Sequence, residues 1–308
     1  LVTKGKPLMK FHKIALAVAL TAAFGAVQAQ AIIQNAEVQL GVGQFGALNV
    51  GGGTPANGSG TTIVGLRSLR TNSDSTSPGC QCEGWGVGIR STGEFGQSNN
   101  DVGGVQNLSL VSFGSTASTA VSIVDVLSAT GAAILRVTHD YHPIAGTPYL
   151  YGVQVSIQNL TGAALAAGDL VYRRVMDWDI PNPGQESVTI QGVPTLLGIA
   201  NGSNIARTDN NGFGAGNPFT FSSYGLQNTN FTNSEAGNLQ GSISSDQGAM
   251  FDFEFAALGA GDTQVFNTYY GVAPNKAAAD LARSLVDGDA SDVDIGLYSY
   301  GSCRSGST

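Results

Sequence analysis

The sequence predicts an all-β fold: a large antiparallel β-sandwich with one C-terminal helix. Glycine occupies 43 of 308 positions, about twice the ~7% norm, and charged residues make up 12% of the chain against a norm of ~25%. Short segments that alternate apolar and polar side chains recur along the chain, as strands with one buried face do. Only one segment, near the C-terminus, carries a helical period. With 42% hydrophobic residues and a net charge of -8, the composition is that of a folded chain rather than a disordered one. The length suits one β domain, since such domains run to roughly 200–250 residues as a unit.

The elements follow in order. Leu1 to Leu8 precede Met9 and read as translated upstream sequence (1–8). From Met9, a positive stretch with Lys10, His12 and Lys13 leads into the apolar run Ile14 to Phe24. Val27-Gln28-Ala29 and Ala29-Gln30-Ala31 then offer small-x-small cleavage sites, so residues 9–31 are expected to be a secretory signal peptide. That run is shorter than the ~20 residues of a membrane span, and no later run is longer. The mature chain is therefore expected to be exported, to lack a membrane span, and to begin near Gln30 or Ile32.

A single domain is expected over 32–300, followed by a frayed tail over 301–308. Val38, Leu40, Val42 and Phe45 mark the first strands, and Gly51 to Thr61 a loop. Thr62 to Leu66, Leu108 to Phe113, Ala120 to Leu127 and Ala133 to Tyr141 read as further strands. Tyr149 to Asn159 alternates clearly, with Tyr149, Tyr151, Val153, Val155 and Ile157 on one face. Glu186 to Ile190 and Thr195 to Ile199 are short strands, and Asn201 to Asn238 is a set of ordered loops. Phe251, Phe253 and Phe255 alternate with Asp252 and Glu254, and Thr263 to Tyr270 supplies a partner strand. The helix is expected at Asn275 to Val286, capped by Asn275, with Ala278, Leu281, Ala282 and Leu285 buried.

Chemistry concentrates at three places. Asp169 to Pro183 gathers Tyr172, Arg173, Arg174, Asp177, Trp178 and Asp179 on one expected strand, which Pro181 and Pro183 end. Asp177 and Asp179 share a face at ~7 Å, a separation suited to an inverting glycosidase or to oxygen ligation of calcium. The structural alternative is that the arginines neutralise the aspartates within the sheet. Gly79-Cys80-Gln81-Cys82-Glu83-Gly84-Trp85-Gly86 puts Glu83 beside a tryptophan among small residues, as a further carboxylate for an acid pair or as a tight-turn residue. His139-Asp140-Tyr141-His142 holds two histidines that point to opposite faces of a strand, unless the strand ends between them as Pro143 suggests. The candidate catalytic set is thus Asp177, Asp179, Glu83, His139 and His142. Asp287, Asp289 and Asp292 form a candidate calcium loop, although it lacks the glycine and glutamate of an EF-hand.

Three cysteines do not make a zinc pattern. Cysteines one residue apart rarely bridge each other without strain, so in an oxidising compartment a link from Cys80 or Cys82 to Cys303 is open to the chain, and the odd total leaves at least one thiol unpaired or bonded to another molecule. A Gly-x-Ser-x-Gly elbow and a phosphate-binding glycine loop are absent from the sequence. The acidic balance and the lack of a basic stripe argue against nucleic acid as a partner.

Three stretches together carry a resemblance: Gly79 to Gly86, Tyr172 to Asp179, and Phe251-Asp252-Phe253 followed by Tyr269-Tyr270-Gly271. On these motifs the chain resembles a group of bacterial exported proteins of uncharacterised activity, many of which end in a PEP-CTERM sorting tail. The resemblance implies export and a β-sandwich and brings no established activity. The sequence shows no terminal Pro-Glu-Pro, apolar span and basic end, which puts release into the medium ahead of surface anchoring. The leading expectation is a secreted or cell-surface protein that binds an extracellular polymer or cell-surface component. A secreted hydrolase of ester, lactone or glycosidic bonds, with Ca2+ as its possible cofactor, is the alternative, and a structural matrix protein is the second.

Overall fold

The computed structural model describes residues 29–180, 186–191, 204–209, 211–220, 230–231, 241–244, 247–286 and 298–303. In chain order, β1 (Gln30–Gln34), β2 (Val38–Gly43), β3 (Leu66–Ser68) and β4 (Ser73–Asp74) form a small sheet in that sequence. Then come β5 (Gly84–Ile89), β6 (Glu94–Asn99), β7 (Gly104–Gln106), β8 (Leu108–Ser115), β9 (Ala120–Leu127), β10 (Ala133–Pro143), β11 (Leu150–Asn159) and β12 (Leu170–Trp178). The remainder is β13 (Glu186–Gln191), β14 (Asn204–Asp209), β15 (Asn230–Phe231), β16 (Gly241–Ser244), β17 (Gln247–Glu254), β18 (Thr263–Gly271), α1 (Lys276–Arg283) and β19 (Tyr298–Cys303).

Two sheets make the sandwich. One has five strands in the order β18-β11-β10-β9-β8, the other seven in the order β15-β14-β17-β12-β5-β6-β7. A three-stranded sheet, β16-β13-β19, stands apart from them in pairing. Every strand pairing among the described residues is antiparallel, so the all-β sandwich with one helix is what the chain forms. The alternation explains the layers. Val137, Tyr141, Val153, Val155 and Phe266 of the five-stranded sheet are buried, and their strand neighbours Thr138, Asp140, Gln154 and Asn267 stand half-buried or exposed on the other face. Phe266 packs against Tyr172 and Phe253 of the seven-stranded sheet and against Phe255 just past the end of β17, at ring-centre distances of 5.1, 5.2 and 5.0 Å, within the favoured range for aromatic pairs.

β12 lies inside the seven-stranded sheet between β17 and β5, and all nine of its residues are buried. Its partner β5 alternates glycine with Trp85, Val87 and Ile89. The large side chains are buried in the sandwich, and Gly86 and Gly88 face the segment 211–220 while Gly84 meets Ser98 and Asn99. A methyl group at Gly86 would strike the carbonyl oxygen of Gly216, and one at Gly88 the ring of Phe219, so glycine is what lets this segment lie against β5.

Three expectations are corrected. The helix runs from Lys276 to Arg283 with Asn275 as its cap, but only Ala282 of the expected stripe is buried, and Leu281 and Leu285 are 69% and 51% exposed. The helix ends at Arg283 with Ser284 as its C-terminal cap, so Leu285 falls past it and the expected stripe is not carried by one helix face. Cys80 bonds to Cys82 rather than to Cys303, their Cα atoms being 5.1 Å apart, within the ordinary disulfide range. Gly301, Ser302 and Cys303, expected in the frayed tail, belong to β19, where Gly301 pairs with Val188. Thr195 to Ile199 lies outside the described residues. Of Asn201 to Asn238, β14 and β15 are strands rather than loops.

Candidate functional site

Arg174 is the centre of the inter-sheet layer. On β12 it shares a face with Tyr172, and its guanidinium meets Glu83 at 2.6 Å with both side chains almost fully buried. Its Nε donates to the Tyr270 hydroxyl at 2.5 Å, and its terminal nitrogens donate to Tyr141 at 2.9 Å and Tyr172 at 3.3 Å. The Tyr270 hydroxyl in turn donates a hydrogen bond to Glu83 Oε1 at 2.5 Å. The arginine thus takes its partners from three strands, β10, β12 and β18, and from the residue before β5, across both layers. Unpaired, either charge here would be costly; paired and multiply hydrogen-bonded, each is accommodated.

The network also holds the turn after β2. The Leu48 amide donates to Glu83 Oε2 at 2.5 Å, Tyr141 to the Gly46 carbonyl at 2.8 Å, Trp85 Nε1 to Phe45 at 2.7 Å and Ser122 to Gln44 at 2.7 Å. Gly46 has φ +76, and a Cβ there would lie 2.6 Å from His139 Nδ1. Glycine therefore satisfies both the left-handed backbone and the close approach.

Burial governs the titrations. It pushes Tyr172 up to about 12, against the opposing pull of Arg174, and pushes Tyr141 and Tyr270 up as well. Burial also opposes the charge on Arg174, but Glu83 and the three tyrosine hydroxyls outweigh it and hold the guanidinium well above its ordinary value. His139, hydrogen-bonded through Nε2 to the Tyr172 hydroxyl at 2.9 Å, is driven well below its ordinary value by burial and then by Arg174. It stays neutral in the fold and takes up a proton only on unfolding. Its contribution is therefore complete above the unfolded value of 6.5 and is lost as pH falls below it, at up to ~1.4 kcal/mol per pH unit. Denaturant midpoints measured from about pH 8 to about pH 5 should fall on the acid side, and His139→Phe should flatten that slope; an unchanged slope in the variant would assign it to other groups.

The candidate residues do not meet in one site. Glu83 and His139 sit between the sheets. Asp177, 1% exposed, alternates with Arg174 along β12 and so faces the other side of the seven-stranded sheet, the side of Arg173, and Asp179, 6% exposed, lies past the end of β12 beside Gly79. The arginines take acids from other strands: Arg174 takes Glu83, and Arg173 takes Asp252 on β17 at 2.6 Å. Arg173 also donates to the carbonyls of Ala215, Asn217 and Thr220, which fastens the 211–220 segment to the sheet. His142 stands on the outer face of the five-stranded sheet, 3.9 Å from Asp140. Among the described residues, no three His, Cys, Asp or Glu side chains are placed to hold a metal ion. Asp287, Asp289 and Asp292 lie outside the described residues. A cleft lined by Gln30, Ile32, Gly51, Ser115 and Thr116 contains none of the candidates.

What sequence reasoning passed over is the outer face of the five-stranded sheet. Register places Asn267, Gln154 and Asp140 side by side on β18, β11 and β10, and Val265, Ser156, Thr138 and Ile123 in the next row. Tyr269 and His142 flank Gly152 from either side. Arg136 is neutralised by Asp125 through two bonds of 2.7 and 3.0 Å. The signal was present in the alternation of β10, β11 and β18, but the rows exist only once the strands are paired. A scan against models of protein families finds no match, and a search of curated proteins finds no significant relative. No helix among the described residues is long and apolar enough to cross a membrane.

Proposed function

We propose that the chain is an exported β-sandwich that binds an uncharged, hydroxyl-rich extracellular polymer on the outer face of its five-stranded sheet. One observation carries the reading. The face offers amide and hydroxyl groups from Gln154, Asn267, Ser156 and Thr138 in register, beside the rings of Tyr269 and His142, while Arg136 is cancelled by Asp125. Amides and hydroxyls both donate and accept, and an exposed ring adds apolar area with a polar edge. With its cation neutralised, such a surface suits a hydrogen-bonding polymer better than a polyanion. Export rests on the leader-like segment and on the resemblance to exported bacterial proteins.

The hydrolase alternative draws no support from the geometry. Glu83 is engaged by Arg174, Tyr270 and the Leu48 amide, Asp177 faces the opposite side of the sheet from it, and Asp179 lies past the end of β12 beside Gly79. Retention of the mature chain on a panel of insoluble neutral polysaccharides tests the proposal. Gln154→Ala with His142→Ala removes contacts worth ~0.5–1.5 kcal/mol each and should weaken retention about tenfold without altering the thermal melt. Equal retention by the variant would sink the assignment of this face. Turnover of an ester, lactone or glycoside, abolished by chelator, would replace binding with catalysis.

A further inference from the structure

β18 is an edge of a different kind from the others. Asn159 N–H donates to Asp262 and Val272 N–H donates to Tyr149, so the even-numbered residues of β18 carry the ladder to β11. By the alternation of antiparallel pairs, the N–H and C=O groups of Thr263, Val265, Asn267, Tyr269 and Gly271 point away from it. None of these groups makes a further backbone hydrogen bond among the described residues; Gln264 Nε2 reaches the Val265 carbonyl at 3.1 Å. Exposed edges are ordinarily blunted by shortness, a bulge, a charge or a proline. The other edge strands among the described residues span two to six residues, or, in β8, carry a bulge between Leu110 and Ser112. β18 runs nine residues in unbroken register, Thr-Gln-Val-Phe-Asn-Thr-Tyr-Tyr-Gly, with no charge and no proline.

We propose that β18 is a homodimer interface, at which a second copy of this chain adds its own β18 antiparallel and joins two five-stranded sheets into one. Self-complementarity argues for a second copy over another partner. Asn267 is the middle residue of Thr263–Gly271. A two-fold axis through it sets Val265 opposite Tyr269 of the second copy, and Tyr269 opposite its Val265. Those two residues are the exposed large hydrophobics of the strand, at 43% and 38%. An aromatic opposite a β-branched residue is a favourable cross-strand pair. The outward-pointing backbone groups fall in the same register, so the pairing satisfies them along the whole strand. The polymer-binding face would then continue across the axis, though the interface does not depend on that reading.

Light scattering of the mature chain after size exclusion should give twice the chain mass. Val265→Lys sets a charge against Tyr269 of the second copy. Asn267→Pro removes an N–H that β11 does not use. Each should halve the mass while the circular dichroism of the folded chain is kept, and Gln154→Lys, on the same face but one strand in, should leave the dimer intact. The register is read by cross-linking in a Cys303→Ser background. Asn267→Cys faces itself in a hydrogen-bonded pair, with Cβ atoms at about 5.5 Å, wider than a relaxed disulfide, and should react with a bifunctional thiol reagent of about that span to give a covalent dimer. Val265→Cys should do so only together with Tyr269→Cys. A single-chain mass for the unmodified protein, a dimer that survives both edge substitutions, or equal cross-linking at 265 and 267 would overturn the proposal.

Discussion

Glu83→Gln is expected to cost about 3–5 kcal/mol of folding stability, because it leaves the Arg174 guanidinium buried without its counter-charge. Against a total of ~5–15 kcal/mol for a typical domain, this is the difference between a folded and a marginal protein. The same change disturbs the Tyr270 hydroxyl and the Leu48 amide, which both depend on the carboxylate. Urea unfolding followed by tryptophan fluorescence measures it. The informative partner is the double variant Glu83→Leu with Arg174→Met. Removing both charges should recover much of the loss, as apolar replacement of whole buried ion pairs commonly does. A double variant no better than the single one would mean that the hydrogen bonds to the tyrosines, and not the unpaired charge, set the cost.

Trp85→Ala is the second large effect. The indole is fully buried, lies 4.5 Å from the His139 ring and 6.0 Å from Tyr172, and holds Phe45 through its N–H. Truncation removes a large packed ring and leaves a cavity, a change that typically costs about 3–5 kcal/mol. Trp85→Phe separates the parts, since it keeps most of the volume and loses only the bond to the turn. Its midpoint should fall between those of the wild type and the alanine variant. If Phe behaves like Ala, the hydrogen bond to Phe45 matters more than the packing.

The pairing of charges was the least legible feature of the sequence. Arg173 and Arg174 sit within six residues of Asp177 and Asp179, and proximity along the chain suggested that they neutralise one another. Their acids come instead from β17 and from the residue before β5, because a strand's neighbours in a sheet are set by register, and a single sequence carries no register. Face assignment was more legible. The alternation in β11 and in Phe251 to Phe255 showed which side is core, and the opposite parity of His139 and His142 showed that they could not share a site along one strand. The helix misled at its C-terminal end. Ala278, Leu281, Ala282 and Leu285 have the period of a buried stripe, yet the helix ends at Arg283 and Leu285 falls past it. Short spacing weighed against the Cys80–Cys82 bridge, whereas the loop before β5 lets the two Cα atoms sit at 5.1 Å.

The clamp on the turn after β2 also bears on the order in which the chain can fold. Glu83 meets Tyr270 across 187 residues, and Arg174 reaches Gly46 across 128. Contacts of such separation must close very long loops before they contribute anything, which slows folding. A chain emerging from its N-terminus would carry Glu83 and Arg174 for a long interval before Tyr270 arrives to complete their shell. Delay of this kind leaves the layer between the sheets incomplete until nearly the whole chain is present.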